Sequence, residues 1–134
     1  MKNFIETILT TAGGILGWYF GGFDGLFYVL VAFIVIDYVT GVVCGIITKA
    51  LSSKTGFKGI FKKVLILVLV GIGHLLDSQM IGSGSTVRTA ILFFYCANEG
   101  VSILENCAAL GLPVPKKLQS ILAQLRTDND EEKK

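Results

Sequence analysis

Residues 95–106, "YCANEGVSILEN", carry four strongly polar side chains in a stretch otherwise long and apolar enough to cross a membrane: Asn98, Glu99, Glu105 and Asn106. With Tyr95 and Ser102 they fall 3, 1, 3, 3 and 1 residues apart, which on a helix makes one continuous polar stripe. Ile91, Phe94, Val101 and Leu104 lie largely away from it. Two carboxylates held charged at depth in lipid cost about 5–7 kcal/mol together, and less where Glu105 nears the helix end. The stripe therefore needs water or polar neighbours. A seam inside the chain's own bundle would supply them. So would an aqueous opening built by self-association, and that second arrangement is the expectation here. Asp37, inside "AFIVIDYVTGVV", poses the same problem. An isolated carboxylate at the bilayer centre costs ~3 kcal/mol. It must be protonated, face a polar cavity or meet a partner, so Asp37 with nearby Thr40 reads either as a packing group or as a pore-facing switch. His74 and Asp77 stand three apart and share a helix face. They form either a polar pair at the outer boundary or part of a proton relay.

Other chemistries are absent from the sequence. There is no HExxH, no G-x-S-x-G and no P-loop, so no enzyme is expected. Cys44, Cys96 and Cys107 are widely spaced in apolar runs, and His74 is the one histidine. No metal or cofactor is expected, and the cysteines read as small packing residues.

The elements that position these groups follow from composition. Of 134 residues, 52% are hydrophobic and 16% charged, against roughly 25% charged in a soluble domain. The mean hydropathy is +0.68. A soluble chain of this size lacks the interior volume to hide so much apolar surface. The class is an all-α polytopic membrane protein, since lipid leaves no backbone group unpaired. Four segments could cross: Phe4–Phe20, Leu26–Ile47, Val64–Ile81 and Val87–Leu110. Helices of this length span about 25–36 Å. The first contains Glu6, Thr7, Thr10 and Thr11, so it either crosses or lies on the surface as an interfacial helix. Three to four transmembrane helices are therefore expected. The N-terminus carries no clean apolar run with a small-residue cleavage site and reads as retained.

Charge sets the orientation. No Lys or Arg lies between Phe4 and Ile47, and then Lys49, Lys54, Lys58, Lys62 and Lys63 form a basic loop. Such a loop belongs in the cytoplasm; binding of nucleic acid is not expected. With four spans, eleven of the twelve basic residues fall on one side and only Arg88 on the other, so both termini are expected in the cytoplasm. Residues 1–112 then form one membrane-embedded domain. Residues 113–134 form a cytoplasmic tail: a short amphipathic helix over 116–126, with Leu118, Ile121, Leu122 and Leu125 on one side, then a charged end without a core of its own. Gly13, Gly17 and Gly21 recur every fourth residue, as do Asp37, Gly41 and Gly45. Small residues at that spacing allow close helix approach in lipid, within one chain or between chains.

Three stretches together resemble the toxin-secretion/phage-lysis holin family: "FDGLFYVLVAFIVIDYVTGVV", "SSKTGFKGIFKK" and "YCANEGVSILEN". The family pattern has an aromatic-Asp start, I-D-Y-x-T-G, a Ser/Gly/Lys loop and N-E-x-x-S-I-x-E-N. These fall on Phe23-Asp24, Ile36 to Gly41, Ser52 to Lys63, and Asn98 to Asn106. Phe23 stands where the family commonly has Trp. The resemblance covers about residues 4 to 117. It implies a protein that accumulates in the host cytoplasmic membrane and then oligomerises into lesions. An endolysin, or a toxin lacking a signal peptide, would pass through as the functional partner, beside membrane lipids and further copies of the chain. The alternative from another class is a small ion or proton channel, or a membrane subunit of a transporter, with Asp37, His74, Asp77 and Glu99 as a relay.

Overall fold

The computed structural model describes residues 1–121 and 123–124. Helix α1 is Lys2–Phe20, α2 Gly25–Ile47, α3 Ser53–Leu75 and α4 Thr86–Ala109. A π-helical turn, Leu76–Ile81, extends α3. Among the described residues there is no strand. Three helical stretches are long and apolar enough to cross a membrane: Gly25–Ile47, Ser53–Ile81 and Thr86–Ala109. The all-α, polytopic expectation holds on these three.

Local sequence explains the boundaries. Asp24 caps α2 by accepting from the Phe27 N–H at 3.0 Å, and Ser52 caps α3 by accepting from the Thr55 N–H at 3.1 Å. Side-chain oxygens there satisfy amides that have no partner within the helix. Helix α1 stops at Gly21, whose φ of 80° is left-handed and free of strain only for glycine.

Contacts give the directions. Asp24 meets Arg88 and Cys44 meets Asn106, so α2 and α4 run parallel. Lys63, near the start of α3, meets Asp37 and Glu99, while Gly73 lies against the Arg88 backbone. Helix α3 is therefore antiparallel to both. The bundle has a lysine end, where α3 begins, and an arginine end, where α4 begins. Between them sits an apolar core of Phe27, Leu30 and Ile34 from α2, Ile66 and Val70 from α3, and Leu92 and Cys96 from α4.

Helix α1 buries no residue. It is held at its C-terminal end, where the Tyr19 hydroxyl donates to the Val68 carbonyl at 2.9 Å and the Phe20 ring packs 4.9 Å from Phe27. It is not among the three spanning candidates. The C-terminal helix is present at 116–121 and 123–124. Leu118 and Ile121 are exposed, and Gln119 and Ala123 share a hollow with Leu104, Glu105 and Ala108 of α4. Leu122, Leu125 and the charged end lie outside the described residues.

The basic loop needs correcting. Only Lys49 lies in the α2–α3 turn, with a left-handed φ of 59°. Lys54, Lys58, Lys62 and Lys63 lie on α3 itself, because the Ser52 cap starts the helix before the first of them.

Candidate functional site

The polar groups gather into two clusters, one on each side of the apolar core. Along α2 the order is Asp24, core, Asp37. Along α3 it is Lys63, core, His74 and Asp77. Along α4 it is Arg88, core, Glu99. Eleven to thirteen residues of helix separate the clusters on α4 and α2 (88 to 99, 24 to 37), or roughly 16–20 Å.

The inner cluster centres on Asp37, which is buried. Lys63 Nζ pairs with Asp37 Oδ2 and, at 2.6 Å, with Glu99 Oε2. Ser102 Oγ donates to Asp37 Oδ1 at 2.6 Å. Asn106 Nδ2 donates to the same oxygen at 2.9 Å, to the Asp37 carbonyl at 3.2 Å and to Thr40 Oγ1 at 2.9 Å. Asp37, Lys63 and Glu99 each stand ten residues from the lysine end of their helix (37 to 47, 53 to 63, 99 to 109), or about 15 Å. Charge and hydrogen-bond partners therefore meet at one level. Two carboxylates facing one ammonium leave a net negative charge unless a proton is held there. Among the described residues, no buried side-chain polar atom lacks a partner.

The outer cluster is built on Arg88, which is only 3% exposed. Its guanidinium donates to both oxygens of Asp24, at 2.7 and 3.2 Å, to the Phe20 carbonyl at 2.5 Å and to the Gly22 carbonyl at 3.0 Å. Asp77, 1% exposed, accepts from the Val87 and Arg88 N–H groups at 3.0 and 2.9 Å. It caps α4 from another helix, in place of Ser85, which makes no side-chain cap. Arg88 holds the carboxyl of Asp24 below the usual carboxylate range, chiefly through these hydrogen bonds.

The sequence-predicted groups divide accordingly. Of the stripe on α4, Glu99, Ser102 and Asn106 face Asp37 and Thr40. Tyr95 packs against the apolar core, and Asn98 is half-buried. Glu105 is exposed beside the C-terminal segment. The stripe drifts around the helix, because spacings of 3, 1 and 3 track its twist only loosely. His74 and Asp77 do not pair: Asp77 turns to the α4 terminus, and His74 stands against Gly21, where a Cβ would come within 2.6 Å of its Nδ1. Asp37 and Glu99 lie in one cluster and His74 and Asp77 at the other end, with the apolar core between them. Lys63, expected in a solvated loop, is instead the one cation of the inner cluster. A lysine seven residues beyond Gly56 and four beyond Gly59 shares their face, and both glycines lie against the Tyr38 ring of α2. That register was the available signal.

Of the glycine stripes, Gly21 alone stands at a close approach between helices within the chain, against His74 and Arg88. A Cβ at Gly13 would meet nothing within 4 Å, and one at Gly41 would make an ordinary 3.7 Å contact with Asn106 Nδ2. Gly17 faces the Phe23 ring and Gly45 makes room for Leu51 in the α2–α3 turn. The other close approaches are at Gly71, where a Cβ would collide with the Tyr19 ring, and at Gly73, where it would come 3.0 Å from Arg88 Cα. Cys44, Cys96 and Cys107 are free thiols.

The chain matches the bacteriophage holin family over residues 14–127. It is 45% identical over 123 residues to an uncharacterized 14.9 kDa protein in the nagH 3′ region of Clostridium perfringens, covering 92% of this chain and 93% of that one. It is 46% identical over 123 residues to the uncharacterized protein Lmo0128 of Listeria monocytogenes, covering 90% and 87%. A probable holin of Bacillus phage phi105 is 34% identical over 97 residues, covering 72% of this chain and 71% of the phage protein. No solved structure matches it. With three membrane-length helices and a family match over most of its length, the chain belongs to the bacteriophage holin family.

Proposed function

We propose that the chain acts as a holin. It accumulates in the host cytoplasmic membrane with its C-terminus inside, then associates with further copies into a lesion. An endolysin, or a toxin lacking a signal peptide, leaves the cell through it. The observation that carries this reading is the position of the α4 stripe. In a single subunit Glu99, Ser102 and Asn106 are all engaged by Asp37, Thr40 and Lys63, so the subunit is tolerable in lipid. The same groups would be equally well served by water or by neighbouring copies, since a hydrogen bond exchanged for another changes little net free energy. A resting state and an assembled state can therefore lie close in energy, with the inner cluster as the element that switches. Glu105 and Asn98 would join the lesion wall with them.

The test is co-expression with a cytoplasmic endolysin that lacks an export signal. Normal growth followed by abrupt lysis is expected. Collapse of the membrane potential with the endolysin retained would replace the holin by the small-channel or transporter-subunit reading. The variant Glu99→Leu/Glu105→Leu removes both carboxylates from α4 and leaves Lys63 with Asp37. It is expected to accumulate normally and fail to release the endolysin. Release on the wild-type schedule would reduce the stripe to a seam inside one bundle.

A further inference from the structure

The first three turns of α3 carry a surface that the inner cluster does not use. Lys54, Phe57, Lys58, Phe61 and Lys62 follow the i, i+3, i+4, i+7, i+8 pattern and so share one helix face. All five are exposed; Phe57 is 75% and Phe61 61% accessible. The opposite face of the same turns is occupied, with Gly56 and Gly59 against Tyr38 and Lys63 in the inner cluster. Ser53, Lys54, Phe57, Lys58 and Phe61 line a shallow hollow whose floor is mainly apolar. Among the described residues, no carboxylate pairs with Lys54, Lys58 or Lys62. Further along α3 the same face continues as exposed Leu65, Val68, Leu69 and Ile72, which is a lipid-facing strip.

Neighbouring geometry sharpens the problem. Because α2 is antiparallel to α3 and Asp37 is level with Lys63, Val39, Val43 and Ile46 of α2 run beside these lysines. All three are exposed. Lysine ammoniums thus stand at a level where the adjacent helix offers apolar surface to lipid. Long lysine stems can reach toward a headgroup layer, and a bilayer can thin locally to meet such charges.

We propose that this face of α3 is a binding site for anionic phospholipid. Lys54, Lys58 and Lys62 hold the headgroup phosphate, and Phe57 and Phe61 seat the first carbons of the acyl chains. The occupant is identified by complementarity of two kinds at once. A phosphate answers three unpaired cations, and acyl chains answer two exposed rings that lead directly into an apolar strip. A free phosphate ion would leave the rings uncovered, and an acidic peptide would leave the strip uncovered.

The full chain, purified in mild detergent, can be titrated with phosphatidylglycerol or with phosphatidylcholine and read by native mass spectrometry. Phosphatidylglycerol is expected to bind in preference. Each of Lys54→Gln, Lys58→Gln and Lys62→Gln is expected to weaken it about fivefold, while the corresponding Lys→Arg variants keep it. Phe57→Ala/Phe61→Ala is expected to weaken both lipids alike. Lys116→Gln/Lys117→Gln, outside the site, is expected to change neither. Equal binding of the two lipids by the wild-type chain overturns the site. So does an equal loss in the Lys116/Lys117 variant, which would mean diffuse attraction only. Displacement of the lipid by millimolar inorganic phosphate alone would assign the lysines to a free ion. Loss of lipid adducts in favour of a dimer mass would assign the face to a second copy.

Discussion

The two polar clusters have opposite construction. The inner one places the Lys63 ammonium between Asp37 and Glu99, whereas at the arginine end the guanidinium pairs with Asp24 and Asp77 meets the Arg88 backbone N–H instead. At the arginine end, both carboxylates also accept backbone N–H groups at helix starts, from Phe27 and from Val87 and Arg88. Unpaired amides and the helix dipole there stabilise negative charge without help from a side chain. Arg88 in turn donates to two backbone carbonyls. The inner cluster lies in the middle of its helices, where every backbone amide is already used within the helix. Its carboxylates are held by side chains, those of Lys63, Ser102 and Asn106 among them. One cluster is fastened to the main chain, and the other is held by side chains that can turn elsewhere. A switch is more economically built from the second kind.

The largest effect should therefore come from Lys63→Met. Removing one partner of a buried ion pair costs about 3–5 kcal/mol, and here two carboxylates lose their common cation. Folded protein recovered from membranes should fall sharply. Adding Asp37→Asn and Glu99→Gln to the same chain should restore most of it, because a fully neutral cluster carries no uncompensated charge. Normal recovery of Lys63→Met alone would break the distinction between the clusters. Next in size is Asp77→Ala. It leaves two α4 amides without an acceptor, at about 2–3 kcal/mol. The expected sign is a lower unfolding midpoint in detergent together with faster proteolysis near residues 82–85, with the inner cluster intact.

How much of this the sequence disclosed depended on whether the signal was periodic. Helix class and the three membrane-length helices follow from apolar runs, and the polarity of Asp37 and Glu99 marked them as groups needing partners. The partners did not follow. Lys63 belongs to a run of lysines whose charge points to solvent, and only the packing of Gly56 and Gly59 on Tyr38 turns it inward. Asp77 was legible as a polar group sharing a face with His74, but its true partner is a backbone terminus ten residues on, and amides have no sequence signature. The glycine repeat left its partner open for a related reason. Spacing reports which residues share a face, and it does not report whether another helix lies on that face.

That last point yields the third prediction. At the arginine end, Gly73→Ala pushes a methyl to 3.0 Å from Arg88 Cα and 2.8 Å from the Ile91 side chain. Backbone cannot yield there without moving α4, so a loss of about 1–3 kcal/mol is expected, read as a lower unfolding midpoint. Gly41→Ala, beside the inner cluster, meets Asn106 at ordinary contact distance and should leave the midpoint within about 0.5 kcal/mol. Gly13→Ala should do the same. If Gly41→Leu or Gly13→Leu keeps that stability yet delays lysis, those stripes meet a second copy; unchanged timing would remove them from the assembly surface.

The smallest effect concerns pH at the arginine end. Arg88 hydrogen bonds, aided by the Phe27 amide and opposed by partial burial, hold Asp24 below its ordinary value of 3.8. A carboxylate whose folded value is depressed stabilises the fold above the unfolded value, and that contribution disappears as pH falls through the folded value. Nothing from this group should change between about pH 5 and 8; loss should begin only below 3.8. The Asp24 side chain is 54% exposed, so water screens the pair and its worth stays below about 1 kcal/mol. Asp24→Asn keeps an acceptor for the Phe27 amide and removes the charge. It should lower the unfolding midpoint slightly at neutral pH and converge with the wild type in acid. A gap that persists after the pH has fallen through the folded value would mean that the Asp24 carboxylate acts through its shape as a helix cap. A gap that widens on acidification would mean that Arg88 depends on Asp24 for its burial, and the arginine end would then resemble the inner cluster more than its backbone contacts imply.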